Sequence, residues 1–433
     1  MKIFIYVIVA FIRSKRKFFN ILKIELQMNT DSSTQIIPRL IKQLFVLATL
    51  SALSVSAQTF KIGMTTDMSS AYSDLTGKGS AVAVQMAIDD FGGSVLGKKI
   101  ELLVADHQMK PSVGSAIITQ WYDKDDVSMI VGLAGSSVAL AAQAIAKERP
   151  NRTMLHTIPL SSDLNGKSCI ANAIHWAPDS YSLAASVANN VTEKGGKNWF
   201  LMIQDTAAGP PAKVAALAGL TSAGGKLLGD VKVPFNAGDV SSFVLQAQAS
   251  KAQVLGIGFG GTDLANIIKA GRQFGLQQSG VKIAALVFFA TDLESIGQES
   301  AQGITFVMPA YSDMNEPTKA WSQRFKKIFG KLPGWGHVAD YEGTMHYLRA
   351  VAAAGTDDAR KVVPLMRKTP VNSFALENGV IRDDNQLVRP MYLTRVKSPQ
   401  ESKFPGDYFD IIGKINPDNA YAPPNPECPM VKK

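Results

Sequence analysis

The chain has 433 residues and carries 45 Lys/Arg against 36 Asp/Glu, but most of that +9 sits in one place: residues 1–57 hold eight basic and two acidic side chains. The remainder is only about +3, with basic and acidic residues interleaved, so neither the net charge nor its distribution makes a nucleic-acid footprint. A remainder of this length exceeds what one hydrophobic core supports, so two domains are expected.

The first readable element is an export signal. Arg39 and Lys42 supply a positive start, LFVLATLSALSV an apolar run, and Val55-Ser56-Ala57 a small-x-small cleavage site, which predicts translation from Met28 and a mature chain beginning at Gln58. Met1 to Gln27, with IFIYVIVAFI and RSKRK, is then a surplus segment upstream of the true start. The alternative is an N-terminal anchor, for which IFIYVIVAFI is short against a hydrocarbon layer of about 30 Å. An exported chain meets an oxidising compartment, where its two cysteines, Cys169 and Cys428, can close one bridge or remain two thiols; neither has metal-ligand spacing.

After the signal, FKIGM reads as a strand, SSAYSDLTGKG as a polar loop, and the next stretch as a helix with Val82, Met86, Ala87 and Phe91 on one face, stopped by Gly92-Gly93. KKIELLVAD, DVSMIVGLA and RTMLHTIP continue as strands; NWFLMIQD, AQVLGIGFG and KIAALVFFA repeat the pattern past a break near Ala177-Pro178-Asp179. Each run leads through a polar loop into a helical stretch, which predicts an α/β fold of two units, each a parallel sheet flanked by helices. Beyond Gly303 come ITFVMPA as a strand, two helices (PTKAWSQRFKKIFG and HVADYEGTMHYLRAVAAAG), and a strand pair turning at Asp383-Asp384-Asn385. The chain ends in a proline-rich tail, expected to be irregular.

Ligands of open parallel sheets bind beyond the carboxyl ends of the strands, at loops leading into helix N-termini. Six loops qualify: 64–75, 132–138 and 157–164 in the first unit, 204–211, 258–263 and 289–293 in the second. The first three carry Ser69, Ser70, Ser136, Ser137, Ser161 and Ser162, which can donate hydrogen bonds to a carboxylate without filling its space. Ser136 or Ser137 can equally cap the helix VALAAQAIAKE, and the two roles are compatible because both use the same free N–H groups. Asp163 and Asp263 read as caps, Asp292 as a partner for a cationic ligand group, and Tyr72 and Tyr311 as ligand walls or ordinary packing.

Enzyme signals fail. Gly256, Gly258 and Gly261 match G-x-G-x-x-G, but the acid that should hold a ribose about 20 residues on is replaced by an apolar strand. Gly166-Lys167-Ser168 ends like a phosphate-binding loop whose first glycine is Ser161, no G-x-S-x-G elbow exists, and the five histidines show no zinc spacing. No catalytic residue, metal or cofactor is therefore expected.

The motifs DMSSAYSDLTGKGS, ADHQMKPSVGSAIITQWYD, SSDLNGKSC, HWAPDSYSLA, NGVIRDDNQLV and VKSPQESKFPGDYFDIIGKI, spread from Phe60 to Cys428, carry a resemblance. The chain resembles the type I periplasmic binding proteins of ABC importers, in the leucine/isoleucine/valine-binding branch, and within it a subgroup associated with aromatic carboxylates. The resemblance implies two Rossmann-like lobes joined by three crossovers near Ala177, Ile304 and Val371: lobe 1 from 58–177 and 304–371, lobe 2 from 178–303 and 372–410, and a tail at 411–433. It implies a ligand carboxylate on Gly135-Ser136-Ser137 and Ser161-Ser162; the further candidates among the residues are Ser69, Tyr72 and Tyr311 in the first lobe and Asp205, Thr262 and Asp292 in the second. Branched-chain amino-acid binders place an aromatic wall where this chain has Gln204-Asp205-Thr206-Ala207-Ala208, so the resemblance points to a pocket with room for a bulkier, aromatic acid. It further implies a Cys169–Cys428 disulfide tying the tail to lobe 1, a monomer that presents its closed form to an ABC permease, and a periplasmic location. A branched-chain amino acid, an amide, or a role as the sensor lobe of a membrane receptor are the alternatives. Intact-mass measurement of the exported protein is expected to give a chain starting at Gln58; a mature species retaining residues before Met28 would contradict the signal reading.

Overall fold

The computed structural model describes residues 59–276 and 278–432, so the export signal lies outside the described residues. Strands β1 (Phe60–Thr66), β2 (Ser94–Val95), β3 (Lys98–Asp106), β4 (Val127–Gly132), β5 (Thr153–His156) and β6 (Ala173–His175) form a sheet in the order β2-β3-β1-β4-β5-β6. Every pairing from β3 through to β6 is parallel: the helices Gly77–Phe91, Pro111–Asp123 and Ser136–Lys147 return the chain to the same end up to β5, and a loop with the short turn Ser162–Leu164 does so before β6. β4 and β5 are buried along their whole length, which is why they read as unbroken apolar runs rather than alternating ones.

The second sheet joins β7 (Asn198–Gln204), β8 (Lys226–Val233), β9 (Val254–Gly258), β10 (Lys282–Ala285), β11 (Thr305–Met308), β14 (Met391–Val396) and β15 (Phe409–Ile415) in the order β15-β14-β11-β10-β9-β7-β8. It is parallel from β8 through β11, then antiparallel at β14 and β15. The helices Trp335–Ala354 and Ala359–Lys368 return to the first sheet, where Tyr347, Leu348, Val351, Val362 and Met366 pack with Ile62, Met64 and Met129.

Three strand placements differ from the sequence expectation. ITFVMPA, assigned there to the first lobe, is β11 of the second sheet: it pairs with β10 and β14, and Phe306 packs on Phe288 with ring centroids 4.2 Å apart. The chain therefore leaves that sheet after Met308 rather than near Ile304. The hairpin of β12 (Val380–Ile381) and β13 (Leu387–Val388), assigned to the second lobe, buries Ile381 and Leu387 in the first-sheet core, and Gln386 bridges to His175 at the edge of β6. Its return crossing is therefore Arg389-Pro390, not Val371. Finally, residues 409–415, partly assigned to the irregular tail, form edge strand β15, whose pairing with β14 shifts register at Leu393/Thr394.

Beyond β15 the chain becomes a strap between the two halves. Ala420 and Tyr421 are buried among Leu183, Leu220 and Met391 beside the second sheet. Further on, Arg382 donates to the Ala422 carbonyl (2.6 Å), the Asn425 N–H donates to Asp384 (3.1 Å), and Cys428 is bonded to Cys169 with the two Cα atoms 5.2 Å apart. The bridge closes a sequence separation of 259 residues, so opening it frees a long loop in the unfolded chain. Replacing both cysteines by serine is expected to lower stability by roughly 2–5 kcal/mol in denaturant titration; peptide mapping that finds two free thiols in the exported protein would contradict the link.

Candidate functional site

Parallel strands deliver their loops to one edge, and loops of both sheets surround a cavity of about 300 Å³. Gly135 (φ 84°) turns the chain out of β4 and caps the helix Ser136–Lys147, whose first N–H groups have no carbonyl within the helix to bond. Ser136 is buried and its Oγ accepts from the Ser161 N–H (3.2 Å), while Ser137 is half-buried; both line the cavity beside Thr76, which precedes the helix Gly77–Phe91. This wall offers hydroxyls, free N–H groups and the positive end of a helix dipole.

The opposite wall is aromatic. Phe235, Phe259 and Phe289 line it, from the loops after β8, β9 and β10, and Phe289 stacks on Trp335 at 4.7 Å. The sequence expectation of a second lobe without aromatics is thus corrected: the 204–208 segment has none, but neighbouring loops supply three rings. Phe259 and Phe289 stand at the ends of runs already read as strands, so the carboxyl-end rule contained the signal.

Tyr72 closes the space between the halves. Its hydroxyl donates to Gln204 Oε1 (2.8 Å), its ring meets Phe235 edge-on at 5.6 Å, and Gln204 in turn donates to Asp263 (3.0 Å). Burial pushes the Tyr72 phenol well up, so it stays a donor. Next to it, Gly261 (φ 70°) leaves room for the Ala71 carbonyl, which a Cβ there would meet at 2.7 Å; Thr262 Oγ1 donates to the same carbonyl (3.4 Å).

Of the candidate residues, Tyr72, Ser136, Ser137 and Asp205 line the cavity, and six do not. Ser69 is on the surface, donating to Asp106 (2.6 Å). Ser161 lies behind the serine wall, capping the short turn at Ser162 and accepting from Asp163. Ser162 donates to Asp179 (3.3 Å) and lines a larger groove of about 590 Å³ against the tail. Thr262 holds Ala71, and Tyr311 packs edge-on against Tyr392 at 5.6 Å. Asp292 is fully buried: it accepts from the N–H groups of Gly261 (2.8 Å) and Phe289 (2.9 Å), fastening two loops rather than facing a ligand. Residues that the sequence reading did not offer as site residues are Thr76, Met109 and the three phenylalanines, with Gln204 and Thr206 noted only as part of a loop.

The residues lining the cavity include no Lys, Arg or His, and no group of three metal-ligating side chains occurs among the described residues. An anion would be held by hydrogen bonds and a helix N-terminus alone. Asp205 is largely exposed and lies 3.6 Å from Lys232.

Two lobes, a cleft at the carboxyl ends of their strands and a hydroxylic anchor are the layout of a ligand trap, and the family model described as periplasmic binding protein matches residues 59–403. The chain belongs to the periplasmic binding protein family. A periplasmic binding protein from Burkholderia mallei is 36% identical and superposes with a TM-score of 0.84, covering 87% of this chain and 100% of that one. The Leu/Ile/Val-binding protein homolog 6 of Brucella melitensis is 23% identical over 363 residues, 82% of this chain and 92% of that protein. An ABC transporter solute binding protein from R. palustris in complex with 4-hydroxybenzoate shares the fold at 20% identity, with a TM-score of 0.77 over 84% of this chain and 99% of that one. Periplasmic binding proteins are binders rather than enzymes, and those of ABC transporters serve small-molecule uptake.

Asp292 gives this periplasmic binding protein a measurable pH signature. Burial outweighs its two N–H donors and pushes the carboxyl up to about 7. With the folded value raised, its stabilising contribution is full at low pH, below the unfolded carboxylate range, and is lost as pH rises through about 7. Carboxyl NMR is expected to show Asp292 titrating near neutrality. Asp292→Asn should remove that slope and cost roughly 1–3 kcal/mol, since an amide can accept at only one of the two sites. An ordinary carboxylate titration would contradict this account.

Proposed function

We propose that the chain is the extracytoplasmic substrate-binding subunit of an ABC importer, exported through the signal ending at Ala57, and that it captures a small aromatic monocarboxylate between its lobes. The observation that carries this reading is the asymmetry of the cavity: hydroxyls and free helix N–H groups at Ser136 and Ser137 on one wall, the rings of Phe235, Phe259 and Phe289 on the other. A carboxylate suits the first wall and an apolar ring the second. Ser161 supports the anchor from behind through its N–H to Ser136. Contacts between the halves, such as Tyr72 to Gln204, favour a closed form, and a ligand touching both walls shifts the equilibrium toward it by its differential affinity. That closed form is what a permease would engage.

An amino acid is the second reading, favoured by Asp205 on the lining and by the Leu/Ile/Val-binding relative. Its ammonium group, however, needs a sheltered acceptor. Asp292 is already occupied by two backbone N–H groups, and Asp205 stands in solvent near Lys232. The absence of a lining cation also weighs against dicarboxylates, whose second charge would go unanswered.

A thermal-shift screen separates the readings. At about 100 times its dissociation constant a ligand stabilises the folded chain by roughly 2.7 kcal/mol. Benzoate- or cinnamate-type acids are expected to raise the melting temperature and their uncharged amides not to, while Ser137→Leu should abolish the shift in a protein that still folds. A shift with leucine or valine and with no aromatic acid would replace the first reading by the second.

A further inference from the structure

Two adjacent residues at the edge of the cavity have left-handed backbones: Gln108 at φ 53° and Met109 at φ 55°. This region is costly for any residue with a Cβ, and neither is of the Asn or Asp type that visits it readily. Such a conformation persists where its surroundings over-determine it, and is a pointer to function. Here the surroundings are explicit. Asp106 accepts from the Gln108 N–H (2.8 Å), the His107 N–H donates to the Thr66 carbonyl (3.1 Å), the Met109 N–H donates to His107 Nδ1 (3.1 Å), and the Lys110 N–H donates to the His107 carbonyl (2.8 Å). Pro111 then starts the next helix.

The result is to direct one side chain. Gln108 is exposed, whereas Met109 lines the cavity with its thioether laid over Gly135. A Cβ at Gly135 would collide with Met109 Cε and stand 2.8 Å from its Sδ, so the glycine that turns the chain into the serine wall is also the seat for this methionine.

We propose that Met109 is the specificity-determining residue of the cleft, a movable wall beside the carboxylate anchor that sets how large an aromatic acid is accepted. The proposal rests on the aromatic-monocarboxylate reading of the cavity. A carboxylate fixed at Ser136 and Ser137 leaves its ring to pass Met109, whose side chain sits on the residue just before that anchor. An unbranched thioether has three rotatable bonds and a polarisable sulfur that makes favourable contact with an aromatic edge, so it can close on a single ring. Shortening it opens the space that a second fused ring needs.

Isothermal titration of wild type, Met109→Ala and Met109→Leu with benzoate and 2-naphthoate tests this directly. Met109 is partly exposed, so both variants are expected to fold. In M109A benzoate is expected to weaken by about tenfold or more while 2-naphthoate gains, moving the ratio of the two affinities by about 10–200-fold, the span that small changes of hydrophobic bulk produce in a pocket. M109L, close in volume, should keep the wild-type order. An equal loss for both acids in M109A, or no change in either, overturns the proposal while leaving the aromatic-acid reading in place. Wild-type protein that binds neither acid overturns that reading, and the proposal with it.

Discussion

Parallel pairing forces every strand-to-helix turn to the same edge of its sheet, and the site is a consequence of that constraint. A helix beginning at that edge has N–H groups with no internal partner, so several helix starts facing one space create a positive potential without a single basic side chain. The residues at those turns are dictated by geometry before they are chosen by ligand. Gly135 and Gly261 take backbone angles that side chains avoid, and the two positions after Gly135 are serine because a small hydroxylic residue both fits the first helical turn and leaves the N–H groups open.

On the proposed reading, closure of the cleft would require two bodies that move without coming apart, and the crossings are tied together where they run side by side. Gln386, in the hairpin that leads into the third crossing, donates from its amide to the Ala177 carbonyl of the first (2.8 Å). Beside the third, Arg389 is paired with Glu342 of the helix Trp335–Ala354 at 2.6 Å, both buried, and donates also to the Ala375 carbonyl (2.9 Å). Such a pair adds little net stability over an apolar contact, but loss of either member would leave a buried charge at a cost of roughly 3–5 kcal/mol. Its directional bonds would suit a crossing whose path stays fixed while the lobes close.

The alternation of apolar runs and helical stretches made the fold readable, because a buried parallel strand shows itself as a short continuous apolar segment. Assignment of strands to sheets was less readable wherever a segment was short and its partner distant. Thr305–Met308 carries only four residues, and nothing local says that Phe306 meets Phe288 rather than the first core. The β12–β13 hairpin has two residues per strand and is placed by Ile381, Leu387 and the Gln386 bridge, all contacts far along the chain. At the cavity, lining residues in the strand-to-helix turns were legible, namely Tyr72, Ser136, Ser137 and Asp205. Those reaching in from elsewhere were not: Phe235 comes after an edge strand, and Met109 arrives through an unusual backbone that no composition rule announces.

Holding an anion at a cavity lined by no basic residue would have an energetic consequence. A helix terminus contributes about 0.3–1 kcal/mol to a nearby charge at an exposed site and up to about 2 kcal/mol in sheltered geometry, and hydrogen bonds from hydroxyls and N–H groups add a similar increment each. Those terms are small enough that the anchor alone discriminates weakly among carboxylates. On the proposed reading discrimination then falls to the apolar side, where Phe259, Phe289 and the Met109 thioether line the cavity and would decide which ring can be enclosed. A ligand that satisfied the serines but left that wall unfilled would gain little from closure, so on this reading full closure would be favoured only by an acid whose apolar part reaches both sides of the cleft.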